Sequence, residues 1–139
     1  MATRYPHVNE TLHRYVAGQS RVIEIGCGSK QYSIFQETTS YIGIDLRSDI
    51  YGGKGPDVLA DAQYLPFRGE SADVIFAVAA FCLVENLDLA LGEIRRVLRE
   101  EGRVIIFDYG RATCRRIGAR HELSSKTLAH MLENHGFTA

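Results

Sequence analysis

Short apolar runs alternate with amphipathic stretches along the chain. The apolar runs are rich in valine and isoleucine and are bounded by glycine, proline or aspartate, a pattern typical of buried β-strands. Five segments have this pattern: Arg21–Ile25, Tyr41–Asp45, Asp57–Ala60, Asp73–Val78 and Arg103–Asp108. Because such strands carry apolar side chains on both faces, they predict a parallel sheet that helices cover on both sides.

Three stretches have the apolar spacing of a helix. The clearest one places a single apolar face at Leu87, Leu91, Ile94 and Leu98. Asn86 is its predicted N-cap, and Gly102 follows its predicted end. The first stretch, which stops at Gly18, has its apolar face at Val8, Leu12, Tyr15 and Val16. The last stretch, with Ser124 or Ser125 as cap and Gly136 as stop, has Leu128, Met131, Leu132 and His135. A short helix is predicted at Ile34 and Phe35, and a loop from Arg47 to Pro56.

The order of these elements predicts an α/β domain. Right-handed crossovers between parallel strands give a Rossmann-like, doubly wound sheet that is mainly parallel. A length of 139 residues fits a single domain, with an N-terminal helix in residues 1–20 and the core in residues 21–139. Ligands of such sheets bind beyond the carboxyl ends of the strands, so the residues directly after each strand are the functional candidates.

Composition and charge narrow the function classes. The chain has 16 Lys and Arg against 17 Asp and Glu, a net charge of −1, without the basic excess of proteins that bind nucleic acid or membrane surfaces non-specifically. An odd, widely spaced set of cysteines (Cys27, Cys82 and Cys114) predicts free thiols and a cytoplasmic protein. We expect no signal peptide and no membrane span, since no apolar run approaches roughly 18 residues.

A glycine turn follows the first predicted strand. Gly26 and Gly28 let the backbone turn tightly and approach a ligand, and Asp45 ends the second strand 19 residues after Gly26. An acid at this distance can accept hydrogen bonds from ribose hydroxyls; alternatively, the glycines only connect two elements and Asp45 caps the following loop. Gln31 stands where a dinucleotide fingerprint has its third glycine, which disfavours a nicotinamide-dependent oxidoreductase. An adenosine cofactor without phosphates, such as S-adenosylmethionine (SAM), fits better.

Five motifs in order resemble those of class I SAM-dependent methyltransferases. Val22–Ser29 resembles their first motif, Tyr41–Asp45 their second strand, and Asp61–Phe67 a segment of the ubiquinone/menaquinone-methyltransferase-like (type 11) branch. The following strand, helix and strand of the family are matched by Ala72–Phe76, Ala90–Arg99 and Gly102–Ile106. The resemblance implies in-line transfer of a methyl group from SAM to an unidentified small-molecule acceptor, with S-adenosylhomocysteine as the product.

The resemblance also implies which residues bind the cofactor. They lie at the ends of the first four strands: Glu24, Gly26, Cys27, Gly28, Asp45, Leu46, Asp61, Ala62, Gln63, Ala77 and Val78. By this resemblance Asp45 takes the ribose hydroxyls and Asp61 the adenine amino group, while Leu46 and Gln63 flank the adenine. Glu24 helps to hold the glycine turn and the methionine end of the cofactor. No catalytic residue and no metal site are predicted.

Two departures from the family pattern concern catalysis. Cys82 and Leu83 stand where relatives often carry a polar pair, so a ready-made general base is missing and Cys82 is interpreted as an apolar filler. Lys30 replaces the third glycine, either as a solvated lysine or within reach of a substrate carboxylate or phosphate. The alternative function is therefore a catalytically degenerate, methyltransferase-like binding or scaffold domain that acts through a protein partner.

Two further features concern partners. A basic cluster lies in the predicted loop between the fifth strand and the last helix: Arg111, Arg115, Arg116, Arg120 and His121. It is a candidate for binding an anionic substrate, or equally a solvated loop; without interleaved aromatic residues, nucleic acid is not expected. The usual C-terminal antiparallel strands of the family are lacking, which leaves the fifth strand as an edge. We expect either a truncated chain, or a homodimer or protein partner that covers this edge.

Overall fold

A parallel sheet is the central feature of the computed structural model, which describes residues 6–30, 32, 40–49 and 55–138. The sheet of this described part has five strands in the spatial order β3-β2-β1-β4-β5, and all four pairings are parallel. The strands are β1 (Arg21–Ile25), β2 (Ser40–Asp45), β3 (Val58–Leu59), β4 (Ala72–Val78) and β5 (Leu98–Phe107). The predicted Rossmann-like α/β architecture is confirmed, since strand order reverses direction between β1 and β4.

Four α-helices accompany the sheet within the described ranges. They are α1 (Pro6–Val16), α2 (Leu87–Val97), α3 (Arg111–Ile117) and α4 (Ser125–Asn134). None of these helices has the length and hydropathy needed to cross a bilayer. The short helix predicted at Ile34 and Phe35, and part of the predicted loop from Arg47 to Pro56, lie outside the described residues.

The two faces of the sheet are covered by different helices. In β1, Ile23 and Ile25 belong to the core that contains the apolar face of α2. Val22, one residue out of phase, belongs instead to the core that contains Leu12 and Val16 of α1. Because successive strand residues point to opposite faces, this sorting explains why the strands are apolar in nearly every position.

The helix α2 begins as predicted and ends earlier than predicted. The side chain of its N-cap Asn86 accepts a hydrogen bond from the amide of Leu89 at 3.1 Å. Leu98 leaves the helix with extended backbone and pairs with Ala72 of β4, so the helix does not continue to Gly102. The prediction placed Leu98 in the helix because it is apolar and lies four residues after Ile94, as a residue of one more helical turn would. A buried residue at the start of a strand can have the same spacing. Regular pairing of β5 then resumes at Arg103, after an irregularity.

The structure contains two helices after β5, and the sequence analysis predicted α4 but not α3. Ser124, one of the two predicted caps, accepts a hydrogen bond from the amide of Thr127 at 3.1 Å. In α3 the single buried residue is Cys114. One inward residue in seven leaves no apolar periodicity to detect, so the basic segment resembled a loop.

Gly92 offers a test of the α2 assignment, because it lies in the helix interior and a Cβ added there would meet no atom within 4 Å. We expect Gly92→Ala to raise the free energy of unfolding by about 0.5–1 kcal/mol, since alanine loses less backbone entropy in a helix. Urea titration followed by circular dichroism measures the change. A decrease in stability would contradict the helical, unobstructed environment of this residue.

Candidate functional site

A cavity of about 290 Å³ opens at the carboxyl ends of β1, β2, β3 and β4. It lies at the point where the strand order reverses, which is where doubly wound sheets bind their ligands. Its walls come from the segments that follow these strands, and from Arg120 in the connection between α3 and α4. Six of the predicted cofactor residues line it: Gly26, Asp45, Leu46, Asp61, Ala62 and Gln63.

The glycine turn after β1 is fixed by close packing. Gly26 has a φ of +67°, and a Cβ at this position would lie 2.5 Å from the Cβ of Ala80. Any larger residue would therefore separate the turn after β1 from the segment after β4, in addition to straining the backbone. This contact explains in physical terms why the first glycine of the motif is needed.

Asp45 joins the end of β2 to the glycine turn. Its Oδ2 accepts a hydrogen bond from the amide of Gly28 at 2.9 Å, and its Oδ1 accepts one from the amide of Leu46 at 2.8 Å. These two bonds fix the orientation of the carboxylate at the cavity wall. Each carboxylate oxygen has two lone pairs, so capacity remains for a ligand hydroxyl.

Asp61 is engaged by the side chain and backbone of Gln63. The carboxylate accepts a hydrogen bond from the backbone nitrogen of Gln63 at 2.8 Å and another from its side-chain nitrogen Nε2 at 3.1 Å. The Gln63 oxygen Oε1 in turn accepts from the amide of Asn86 at 3.0 Å, at the start of α2. Gln63 therefore bridges the end of β3 to α2, a role that the sequence did not indicate.

The remaining five predicted residues lie behind the cavity wall rather than in it. Ala77 and Val78 still belong to β4, and their side chains pack into the two cores on opposite faces of the sheet. The chain reaches the cavity only at Ala79, where φ becomes +57°, and at Ala80. The cavity wall after β4 is therefore formed by the next two residues, and the cofactor contacts of Ala77 and Val78 stay a prediction. Cys27 and Gly28 belong to the glycine turn itself, and Glu24 precedes the turn near the end of β1.

Glu24 is a buried carboxyl group beneath the glycine turn. It accepts a hydrogen bond from the Tyr41 hydroxyl. Burial raises the pKa of Glu24 from 4.5 to about 8, against the opposing effects of the Tyr41 hydrogen bond and the Lys30 charge. Burial, and next the charge of Glu24, raise the pKa of the Cys27 thiol to about 12. The neighbouring Gly43 must lack a side chain, because a Cβ would lie 2.8 Å from the Cys27 Sγ.

Lys30 is ion-paired rather than solvated. Its Nζ lies 2.6 Å from Oδ1 of Asp57, whose Oδ2 accepts from the amide of Gly43 at 2.8 Å. The lysine thus connects the glycine turn to the segment that precedes β3. Neither interpretation offered by the sequence, a solvated lysine or a substrate contact, included this partner.

The segment after β4 contains no exposed nucleophile. Cys82 is fully buried, and burial followed by hydrogen bonding to Asp108 raises the pKa of its thiol. This environment agrees with the predicted apolar filler. The imidazole of His121 contacts the same segment, with its Nε2 2.7 Å from the carbonyl oxygen of Val84. Within the described ranges, no group of three or more His, Cys, Asp or Glu side chains could hold a metal ion.

A second cavity of about 910 Å³ adjoins the first. The two share Asp61, Gln63, Glu85 and Arg120, and the second extends between the first turn of α2 and the start of α4. Sequence reasoning singled out Arg120 only as one of five basic residues and gave no cavity role to Glu85. Nothing in the local pattern distinguishes Arg120, because its position depends on how α3 packs.

Carboxylates at the ends of β2 and after β3, a glycine turn and a cavity at the strand-order reversal define an α/β domain that binds a nucleoside cofactor. Residues 23–106 match the family model described as a methyltransferase domain, of type 11. The chain belongs to this family of class I SAM-dependent methyltransferases, whose cofactor is SAM.

Curated relatives match about two thirds of the chain. The malonyl-[acyl-carrier protein] O-methyltransferase of Methylococcus capsulatus is 35% identical over 107 residues, which are 68% of this chain and 39% of the relative. The fatty-acid O-methyltransferase of Mycolicibacterium smegmatis is 33% identical over 100 residues, 63% of this chain and 36% of the relative. The chain therefore spans less than two fifths of the length of these two relatives.

Solved structures show the same fold. A SAM-dependent methyltransferase from Archaeoglobus fulgidus has a TM-score of 0.79 at 24% identity, covering 95% of this chain and 68% of that one. Phosphoethanolamine N-methyltransferase 2 of Haemonchus contortus, in complex with SAM, has a TM-score of 0.78 at 18% identity, covering 98% and 38%. At these identities the likeness concerns the fold alone.

The cavity residues fit SAM in their chemistry. Three carboxylates (Asp45, Asp61 and Glu85) line the first cavity against one arginine, Arg120. This excess of negative charge suits a cofactor that carries a sulfonium cation. The apolar wall contributed by Leu46 and Ala62 suits an adenine ring.

The raised pKa of the buried Glu24 carboxyl should make the stability of the protein depend on pH. Its pKa rises from 4.5 in the unfolded chain to about 8 on folding, so the folded state binds more protons between these values. The free energy of unfolding should therefore fall as the pH rises from about 5 to about 8. In Glu24→Gln this fall should be smaller, whereas the exposed control Glu100→Gln should retain it. Urea titrations at several pH values measure the slopes; equal slopes in all three proteins would contradict the buried carboxyl.

Proposed function

We propose that this chain binds SAM in the first cavity and transfers its methyl group to a small-molecule acceptor. The observation that carries the proposal is the carboxylate of Asp45, oriented by the amides of Gly28 and Leu46 at the wall of that cavity. A fixed carboxylate at the end of the second strand is suited to accept hydrogen bonds from ribose hydroxyls. Family membership supports the cofactor, because the family is SAM-dependent.

The proposed cofactor contacts follow the predicted residues. Asp45 holds the ribose, and Asp61 with the Ala62 backbone faces the adenine, where Leu46 supplies an apolar contact. The turn that contains Gly26 faces the amino-acid portion of the cofactor. Glu24, Cys27, Gly28 and Gln63 position these groups, and Ala77 and Val78 support the segment after β4 from the core.

Bound SAM supplies an activated methyl group on a positively charged sulfur, whose neutral thioether leaves without protonation. The residues of this chain then have to align the acceptor and exclude water. A general base is needed only where the acceptor arrives protonated. This requirement is compatible with an apolar segment after β4, where Cys82 is buried.

Further proposals concern the acceptor, the location of the protein and the edge of its sheet at β5. Relatives that act on malonyl-[acyl-carrier protein] and on fatty acids support an acyl-type small-molecule acceptor. We also propose that residues 1–139 form one domain. A cytoplasmic location is proposed because the three cysteines are buried and free.

In the described sheet β5 pairs with β4 alone. A further segment, a second copy or a protein partner is proposed to cover that edge.

Binding of S-adenosylhomocysteine tests the ribose assignment. We expect Asp45→Asn to weaken the affinity at least about tenfold, because a charge-assisted pair of hydrogen bonds is lost. Asp49→Asn, an exposed aspartate four residues further on, should leave the affinity unchanged. Isothermal titration calorimetry measures both, with NAD(H) as a ligand expected not to bind. Equal affinities of the two variants would contradict the role of Asp45.

Turnover separates the proposed enzyme from a degenerate binding domain. Both would bind S-adenosylhomocysteine, and only the enzyme would transfer a radiolabelled methyl group from SAM to an added acceptor. Binding without transfer to any carboxylate, amine or thiol tested would favour the binding-domain alternative.

A further inference from the structure

The second cavity adjoins the first, so an acceptor bound in it would lie beside a cofactor bound in the first. The two share residues from three separate segments: the loop after β3, the approach to α2 and the connection before α4. The four shared residues, Asp61, Gln63, Glu85 and Arg120, form the junction of the two cavities. Which acceptor fits the second cavity depends on the charges and apolar groups at this junction.

Arg120 is the one arginine among the described residues that line both cavities. Among the other charged residues of the second cavity, Asp88 contacts His135 at 3.0 Å and Glu122 contacts Arg115 at 2.8 Å. Glu85 has no hydrogen bond or ion pair with any described residue. Arg120 makes no hydrogen bond or ion pair with any residue that the structure describes, and it lines both cavities. Its planar guanidinium is the group best suited to bind a carboxylate through two parallel hydrogen bonds.

Glu85 is the opposite charge at the same junction, and it too lines both cavities. An ammonium-bearing acceptor would pair with it in place of Arg120. Such an acceptor must lose a proton before it can attack a methyl group. His121, the single imidazole among the described lining residues, has its Nε2 engaged at 2.7 Å with the Val84 carbonyl. A carboxylate acceptor needs no base, so the chemistry of this wall favours an anion.

Exposed apolar side chains also line the two cavities. Tyr64 is 68% exposed, Leu83 54% and Leu89 43%, and each lines one of the two cavities. Large apolar groups left in water at the mouth of a cavity are typical of a binding surface for an apolar ligand. Together with one unpaired cation, they fit a molecule that has an apolar chain and a negatively charged end.

We infer that the acceptor is an amphipathic carboxylate whose anionic end is bound by Arg120 while its chain lies along Tyr64 and Leu89. This inference rests on the proposed function. In the reaction, a carboxylate oxygen forms a bond to the sulfonium methyl carbon, and the carbon–sulfur bond breaks with its electron pair moving to sulfur. The products are a methyl ester and a neutral thioether. No proton is transferred, so no base is required.

Decanoate binding to the full chain, saturated with S-adenosylhomocysteine, tests this inference. By isothermal titration calorimetry, decanoate should bind at least about tenfold more tightly than decanol or decylamine of the same chain length. Arg120→Gln should remove about tenfold of that affinity. The matched control is Arg116→Gln, an exposed arginine of α3 that lines neither cavity and should bind decanoate as the unaltered protein does.

The outcomes separate this inference from the function on which it rests. If S-adenosylhomocysteine itself does not bind, the proposed function and the inference both fail. If it binds while decanoate shows no preference over decanol, or Arg120→Gln matches Arg116→Gln, the carboxylate assignment alone is overturned. Tighter binding of decylamine, lost in Glu85→Gln, would assign the acceptor site to an amine instead.

Discussion

The two hydrogen bonds that fix the Asp45 carboxylate are the constraint on which the site depends. The amide of Gly28 belongs to the turn after β1, and the amide of Leu46 to the chain that leaves β2. One side chain therefore sets the separation of two strand ends at the point where a ligand enters. Because both donors are backbone groups, their positions are determined by the parallel register of β1 and β2. The sheet thus sets the separation of the two strand ends, and the glycine turn supplies the amide that the carboxylate binds.

The support behind this turn is polar, which is unusual for a sheet that is otherwise apolar. Glu24 and the Tyr41 hydroxyl pair under the turn, and Lys30 with Asp57 ties its far end to the segment before β3. A buried carboxyl group without a hydrogen-bond partner would cost about 1–3 kcal/mol, and more if it were charged. Here the Tyr41 hydrogen bond and the raised pKa of Glu24, which favours its neutral form, offset that cost. The arrangement allows the turn to be rigid while the cavity surface remains available to a ligand.

Much of the fold could be predicted because buried strands and helix caps leave local signals. The strands around Ile23 and Ile75 and the cap at Asn86 depend on neighbours within a few residues. Helix α3 and the exit of the chain at Leu98 depend on tertiary packing, which periodicity does not encode. In the site, the end of β4 was predicted correctly at Val78, but the strand pattern does not show that the cavity wall begins only at Ala79, where the backbone turns. Arg120 enters the site from a distant loop, so no local motif could identify it.

The three thiols have a consequence for studying the protein in solution. Cys27, Cys82 and Cys114 are all buried and free, and Cys27 lies within the glycine turn, between Gly26 and Gly28. A thiol in this state reacts with an alkylating reagent only when the surrounding segment opens. The alkylation rate at Cys27 therefore reports how often the turn separates from β2, without any label or substitution. A ligand that bridges the two strand ends would slow that reaction, so the native cysteine serves as a kinetic probe of occupancy.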